Sequence, residues 1–177
     1  MFRVSRTVSG LVLPSFMVLL CLGCAGAMVS TTQALRPLPE AVETMALAPS
    51  GGVLADAIGT ELFSGGLRVI DTQETSNFLV RLNLDEVELL QPGSLSAMRD
   101  RGISAVLSVK SVAGYDGKPQ SATVRVVSTK TGELIAAVNW QNGRGGARGS
   151  PADAMMRKDI VGAAQQIGQA LAAQLRR

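Results

Sequence analysis

Three short β-strands joined by two tight turns, between Ala105 and Trp140, constrain the fold of this chain most. Residues 105–112 begin as an apolar run and then alternate between apolar and polar side chains, which is typical of a strand. Residues 122–128 and 133–140 have the composition of two further strands, and the segments between the three contain the Gly, Pro, Asp and Thr residues of turns. Connections this short predict an antiparallel three-strand meander.

A helix flanked by two strands is predicted before the meander. Apolar residues recur every four positions from Leu54 to Leu62, which indicates one buried helical face, and Asp56 is expected in the first turn of this helix. Residues 44–48 and 67–71 are short apolar runs bounded by Gly and Pro, which favours strands. Residues 75–90 fit a second helix with Thr75 or Ser76 as its N-cap. A short third helix is predicted from Ser94 to Arg101.

One long helix is predicted at the C-terminus. Pro151 suits the first helical position, with Ser150 as N-cap and Asp153 in the first turn. An apolar stripe continues this helix from Ile160 to Leu175. Together the elements predict a single α/β domain over residues 41–177. We expect a sandwich in which helices pack on a mixed sheet that contains the antiparallel three-strand meander.

The N-terminal 23 residues have the pattern of a signal peptide. Arg3 and Arg6 precede an uncharged, largely apolar segment over residues 10–23, which is too short for a membrane-spanning helix. We therefore interpret residues 1–23 as an export signal and expect residues 10–23 to be helical in the precursor.

The end of this segment predicts lipid attachment. The residues Cys-Leu-Gly-Cys-Ala over positions 21–25 resemble a lipobox, in which a small residue precedes the modified cysteine. Gly23 is that small residue, although Cys21 stands where leucine is usual. A cut before Cys21 would place bulky Leu20 at the cleavage position. We therefore expect cleavage before Cys24 and lipidation of Cys24.

Lipidation of Cys24 would determine where the protein resides. The chain has two cysteines, so processing would leave it without a free thiol or disulfide. Several acyl chains anchor a protein far more firmly than one does. Ala25 follows the cysteine, where inner-membrane retention would favour Asp, so we expect a lipid anchor in the outer membrane facing the periplasm. Residues 24–40 are predicted to be a flexible membrane tether.

Composition excludes several classes of function. The chain has 17 basic and 14 acidic residues, and the signal-like segment accounts for two of the basic ones, so the remainder is nearly neutral and gives no support to nucleic-acid binding. It has no histidine, the commonest general base and metal ligand. We expect no cofactor and no metal. The serines at 104, 108 and 111 therefore lack a Ser–His pairing. A Ser–Lys pair using Lys110 stays open, but no motif favours it, so a periplasmic hydrolase is disfavoured.

Four residues are candidates for contact with a partner: Arg144 and Arg148 in the glycine-rich segment 142–150, and Tyr115 and Lys118 at the tip of the first hairpin. The glycine-rich segment lacks the Gly-Lys-Ser/Thr ending of a phosphate-binding loop, so we interpret it as a surface loop whose arginines contact an anion or a protein. The carboxylates Asp85, Glu86 and Glu88 are interpreted as a solvated surface and not as catalytic groups.

Several segments, taken in order, resemble the CsgG/TolB N-terminal-like family of periplasmic and outer-membrane lipoprotein domains. They are Leu54–Glu74, a helix, glycine step and strand; Ala97–Gly114, a short helix and strand; Val124–Trp140, a hairpin that turns through Thr-Gly-Glu; and the C-terminal helix. The likeness extends over about Met45 to Gln174. The short chain is most similar to the compact, LpoB-like members.

The resemblance implies a non-catalytic lipoprotein whose α/β domain binds a protein partner in cell-envelope assembly. The alternative that it implies is a ring-forming subunit of a curli-type secretion or appendage apparatus, which would require self-association. The residues do not decide between a monomer and a homo-oligomer.

Overall fold

The computed structural model describes residues 24–32 and 41–176. The predicted signal peptide, the helix expected within it and residues 33–40 of the predicted tether lie outside the described residues. Among the helices that are described, none is long and apolar enough to cross a membrane.

The described residues contain eight strands and five α-helices. The strands are β1 (Cys24–Ala25), β2 (Met28–Thr32), β3 (Thr44–Leu47), β4 (Arg68–Ile70), β5 (Ala105–Ala113), β6 (Pro119–Ser128), β7 (Leu134–Gln141) and β8 (Arg144–Gly145). The helices are α1 (Gly52–Ser64), α2 (Thr72–Arg81), α3 (Pro92–Arg99), α4 (Pro151–Met156) and α5 (Ile160–Leu175). Two 3-10 turns lie at Pro49–Gly51 and Glu86–Glu88.

Six strands form one mixed sheet in the order β2-β7-β6-β5-β3-β4. The meander of β5, β6 and β7 is antiparallel, and β2 joins it antiparallel to β7. β3 is parallel both to β5 and to β4. The predicted α/β class, the mixed sheet and the antiparallel meander are therefore confirmed. β1 and β8 form a separate two-stranded antiparallel ribbon.

The two faces of the sheet are covered unequally. One face carries the larger core, where α1 and α5 pack on β5, β6 and β7 through the predicted helical stripes that include Ile58 and Ile167. On the other face α2 and α3 cover only the part near β3 and the start of β5, around Val106 and Met98. The remaining part of the second face has no helix over it among the described residues. This asymmetry leaves a broad surface of β5, β6, β7 and β2 open.

The N-terminal ends of α1 and α2 differ from prediction. α1 begins at Gly52, so Asp56 lies beyond its first turn, where its carboxylate accepts a hydrogen bond from the Thr72 hydroxyl at 2.9 Å. α2 begins at Thr72, because the side chain of Asp71 accepts the backbone N–H of Glu74 at 2.7 Å and so caps the helix. The predicted caps at Thr75 and Ser76 were wrong.

Two further boundaries were wrong in the same region. The predicted helix over residues 75–90 is interrupted after Arg81, and Asn83 takes a left-handed φ of 52°. The third helix begins at Pro92, not at Ser94. Proline suits the first helical position because it lacks the backbone N–H that would be left unsatisfied there.

The single long C-terminal helix was also wrong, because it is divided into α4 and α5. Ser150 caps α4 as predicted, accepting the backbone N–H of Asp153 at 3.2 Å. The division follows from Asn142, whose side chain accepts the N–H of Lys158 at 2.7 Å and donates to its carbonyl at 2.8 Å. Backbone groups bonded in this way are not available to a continuous helix. Asp159 then caps α5.

The segment predicted as a tether is partly a strand. β2 pairs with β7 over all five of its residues, with Met28 opposite Gln141 and Thr32 opposite Ala137. Every residue of β2 is exposed, so no alternation of buried and exposed side chains marks it. β2 is held in the sheet by its backbone pairing with the edge of β7.

Candidate functional site

Three segments that are distant in sequence meet at one end of the sheet: the β5–β6 turn, the segment around β8, and α4. At their centre the Tyr115 hydroxyl donates a hydrogen bond of 2.7 Å to Oδ2 of Asp153. Asp153 is only 2% exposed. Its two carboxylate oxygens also accept the backbone N–H groups of Gly145 at 3.3 Å and Gly149 at 3.2 Å. This buried carboxylate therefore joins the hairpin tip to the glycine-rich segment.

Two arginines complete this arrangement, which we call the Tyr115 cluster (Tyr115, Asp116, Arg148, Asp153 and Arg157). The guanidinium of Arg148 lies 4.7 Å from the centre of the Tyr115 ring, and that of Arg157 lies 5.2 Å from it. Arg157 also forms a bidentate ion pair with Asp116, at 2.8 Å and 3.0 Å. Both acidic side chains of the cluster are thus engaged within the domain.

The predicted partner contacts lie at this end, but most of them already make contacts within the chain. Lys118 Nζ donates to the backbone carbonyls of Arg157 at 3.4 Å and Ala154 at 3.5 Å. Arg148 stacks on Tyr115, a residue that remains 44% exposed. Arg144 is exposed and bonds through its side chain to none of the described residues. The structure thus brings all four to one region and leaves Arg144 the freest.

Cys24 lies beside the same cluster. In the β1–β8 ribbon Cys24 is the register partner of Gly145, and Ala25 is the partner of Arg144. The sequence predicts Cys24 at the start of a flexible tether and does not indicate that it lies near the segment that contains Arg144 and Arg148. No local signal marks a two-residue strand, so this proximity could not have been found from the sequence.

Acid is expected to weaken this end of the domain. The hydrogen bond from Tyr115 holds the pKa of Asp153 below its ordinary value, and the bond from Arg157 does the same to the pKa of Asp116. A depressed folded-state pKa contributes stability above the unfolded pKa of about 4 and loses it as pH falls through the folded value. We expect the free energy of unfolding, measured in urea, to change little from neutral pH to about pH 5 and to fall below about pH 4.

The two carboxylates can be tested separately in that experiment. Asp116→Asn and Asp153→Asn should each flatten the acid dependence of the unfolding free energy, since each removes one titrating group. Asp85→Asn, for which no such arginine contact exists among the described residues, is the matched control. A wild-type acid slope retained in both cluster variants would contradict the assignment.

The backbone of Gly145 approaches α4 too closely for a side chain. A Cβ at this position would lie 2.7 Å from the carbonyl carbon of Ala152. We expect Gly145→Ala to displace α4 and to lower the free energy of unfolding by about 1–3 kcal/mol, as overpacking does. Gly26→Ala is the control, because a Cβ there has none of the described atoms within 4 Å. Equal urea midpoints for the two variants would contradict this packing.

A second candidate surface is the part of the sheet that none of the described helices covers, which we call the open face. It carries a groove of about 810 Å³ whose floor includes Lys110 and Arg125. Exposed apolar side chains lie along its sides: Val87 (91% exposed), Leu90 (44%) and Leu134 (49%). The polar positions of β5 and β6 alternate with buried ones in sequence, and this alternation was the signal that could have identified the open face.

Several polar groups that were considered as candidates for chemistry make contacts within the domain. The described residues include no group of three or more Cys, Asp or Glu residues placed to hold a metal ion. The Ser104 hydroxyl is engaged with the backbone of Thr44, at 3.0 Å to its N–H and 2.8 Å to its carbonyl. Of the acidic residues at 85–88, Glu86 accepts the N–H of Ser50, and Glu88 accepts that of Asp85 at 3.1 Å. These groups have structural roles at the surface.

No protein-family model matches the chain, and no curated protein matches it significantly. Solved structures similar to it include a PelC dodecamer from Paraburkholderia phytofirmans, 14% identical, with a TM-score of 0.46 over 85% of this chain and 99% of that one. Lipoprotein GNA1162 from Neisseria meningitidis is 14% identical, with a TM-score of 0.47 over 76% and 96%. The LpoB C-terminal domain from Salmonella enterica is 16% identical, with a TM-score of 0.42 over 56% and 81%.

Proposed function

We propose that the chain is a non-catalytic lipoprotein of the outer membrane whose periplasmic domain binds a protein partner in the cell envelope. The signal-like residues 1–23 followed by Cys24 support the anchor and the location. The lack of histidine, together with the structural roles of the serine and the carboxylates described above, supports a binding role in place of catalysis. CsgG-like ring formation remains the alternative prediction.

The open face is the observation that carries this proposal. On its floor Lys110 lies opposite Thr123 and Ser108 lies opposite Arg125, so the strands present two cations among hydroxyl groups. Both cations are exposed, and neither bonds to an acidic side chain among the described residues. Apolar side chains beside charged ones are typical of a protein-binding surface, in which buried apolar contacts supply most of the affinity.

Glu86 also lines the groove, where its carboxylate accepts the N–H of Ser50, so Lys110 and Arg125 leave the groove with a net positive charge. This composition favours a partner that presents an acidic segment with apolar neighbours. Carboxylates would pair with Lys110 and Arg125, and apolar groups would pack on Val87, Leu90 and Leu134. Charged contacts of this kind raise the association rate and weaken as salt rises.

Site-specific photo-crosslinking in cells tests the proposal. A photoreactive residue in place of Arg125 should give a discrete adduct with another protein. The same residue in place of exposed Gln169 on α5, on the opposite side of the sheet, should not. An adduct containing two copies of this chain would instead favour the ring-forming alternative. Adducts from neither position, or equally from both, would contradict partner binding at the open face.

A further inference from the structure

The position of Cys24 leaves little chain between its anchor and the folded domain. Residues opposite each other in antiparallel strands lie about 5 Å apart, and Cys24 is opposite Gly145. Lipid chains attached to Cys24 must enter the hydrocarbon region, whose flanking headgroup layer is only about 5–8 Å deep. The backbone of Gly145 and its neighbours would therefore lie within or directly against the headgroups.

The side chains around this position suit a membrane surface. The basic residues at this end of the domain are Lys118, Arg144, Arg148, Arg157 and Lys158, and the acidic ones nearby are Asp116, Asp153 and Asp159. All three acidic groups are engaged, by Arg157, by Tyr115 and as the cap of α5. The five cations outnumber the three carboxylates, one of which, Asp153, is buried, so the net charge at this end is positive.

Apolar and aromatic groups accompany these cations. Met155 on α4, the helix that packs on β8 and β1, is 86% exposed, and Met28 at the start of β2 is 61% exposed. The Tyr115 ring is partly exposed under the guanidinium of Arg148. Basic side chains beside exposed apolar ones favour the interface between headgroups and hydrocarbon, whereas a purely aqueous surface does not require them.

We infer that this end of the domain rests against the bilayer and that Arg144 and Arg148 bind the phosphate groups of lipid headgroups. The inference rests on the lipid anchor at Cys24 that belongs to the proposed function. The predicted flexible tether implied a domain held away from the membrane. In the arrangement inferred from the structure, the domain instead lies against the membrane in a fixed orientation. Guanidinium groups suit this role because they bind phosphate through two parallel hydrogen bonds.

The orientation also determines what faces away from the membrane. β5 and β6 run from the Tyr115 end to the turn at residues 129–132, and nine residues of strand span about 30 Å. That turn would therefore lie farthest from the lipid. The open face extends between the two ends and would remain accessible to a partner from the periplasm.

Depth-dependent quenching on the full, lipidated protein in vesicles tests this orientation. With Cys24 lipidated, Ala147→Cys introduces one reactive thiol near the cluster, and Thr131→Cys introduces one at the opposite end; both positions are exposed. A fluorophore at position 147 should be quenched at least severalfold more by nitroxide-labelled headgroups than one at position 131. Equal and weak quenching at both positions would overturn the inference. It would leave the lipid anchor intact, provided that the protein still floats with the vesicles.

The role of the arginines is tested with the same reporter. In vesicles of phosphatidylethanolamine and phosphatidylglycerol, Arg144→Gln with Arg148→Gln should reduce quenching at position 147 and weaken its dependence on salt. An exposed basic residue near an anionic membrane contributes about a fivefold factor in binding. Arg68→Gln with Arg99→Gln removes equal charge at the far end and should have no effect. Unchanged quenching in the first pair would refute phosphate binding by these side chains, and failure of the lipidated protein to float would refute both the anchor and the orientation.

Discussion

Cys24→Ser is expected to abolish incorporation of labelled palmitate and to leave the chain as an unprocessed precursor. The thiol of Cys24 is the proposed point of lipid attachment, and a serine hydroxyl does not replace it as the modified group. The effect should be complete, because the only other cysteine of the chain is Cys21. Mass spectrometry of the membrane fraction after metabolic labelling measures both the label and the state of the N-terminus.

Cys21→Ser provides the matched control for this experiment. Cys21 would be discarded with the signal peptide, so this variant should be labelled and processed as the wild type is. If the label were lost in Cys21→Ser and kept in Cys24→Ser, the lipidated residue would be Cys21 and cleavage would occur before it. Label lost in neither variant would exclude a cysteine-linked lipid anchor altogether.

Among the proposed substitutions, Trp140→Ala should lower the free energy of unfolding most. Trp140 is 2% exposed in the larger core, and its indole Nε1 donates to Oε1 of Gln166 at 2.7 Å. Removing a buried tryptophan ring leaves a cavity that the surroundings fill only in part. We therefore expect the free energy of unfolding to fall by about 3–5 kcal/mol, a large share of the roughly 5–15 kcal/mol typical of a domain. Urea unfolding followed by circular dichroism measures this change.

Gln166→Ala separates packing from hydrogen bonding at this position. It keeps the indole ring and removes its acceptor, so the expected loss is smaller, about 1–3 kcal/mol. Trp140→Phe should fall between the two, because it restores most of the apolar volume. If Trp140→Ala cost no more than Gln166→Ala, the ring would not be packed as described.

The parts of the fold that were predictable are those in which one face of an element is buried against the main core. The alternation in β5 and β6 and the helical stripe from Leu54 to Leu62 report such burial directly. β2 shows no alternation because all five of its residues are exposed. The division between α4 and α5 depends on a single side chain, Asn142, whose contact with Lys158 no periodicity reveals.

In the candidate site, too, some features were predictable from the sequence and others were not. Tyr115, Lys118 and the arginines were identifiable as chemically distinctive residues on turns. Their contacts were not, because the Tyr115–Asp153 bond joins positions that only the completed topology brings together. Asp153 was predicted merely as a favourable charge in the first turn of a helix. Its burial under two backbone N–H groups is a property of the loop conformation.

The pairing of β2 with β7 has a consequence for the order in which this chain matures. Met28 pairs with Gln141, more than one hundred residues away, so β2, the first strand of the six-stranded sheet, can join it only after β7, the last strand, has been made. Closing so long a loop has an entropic cost. An N-terminus that emerges first from a translocation channel would stay extended until then. Cys24 would be accessible to modifying enzymes during that interval and would join the β1–β8 ribbon only afterwards.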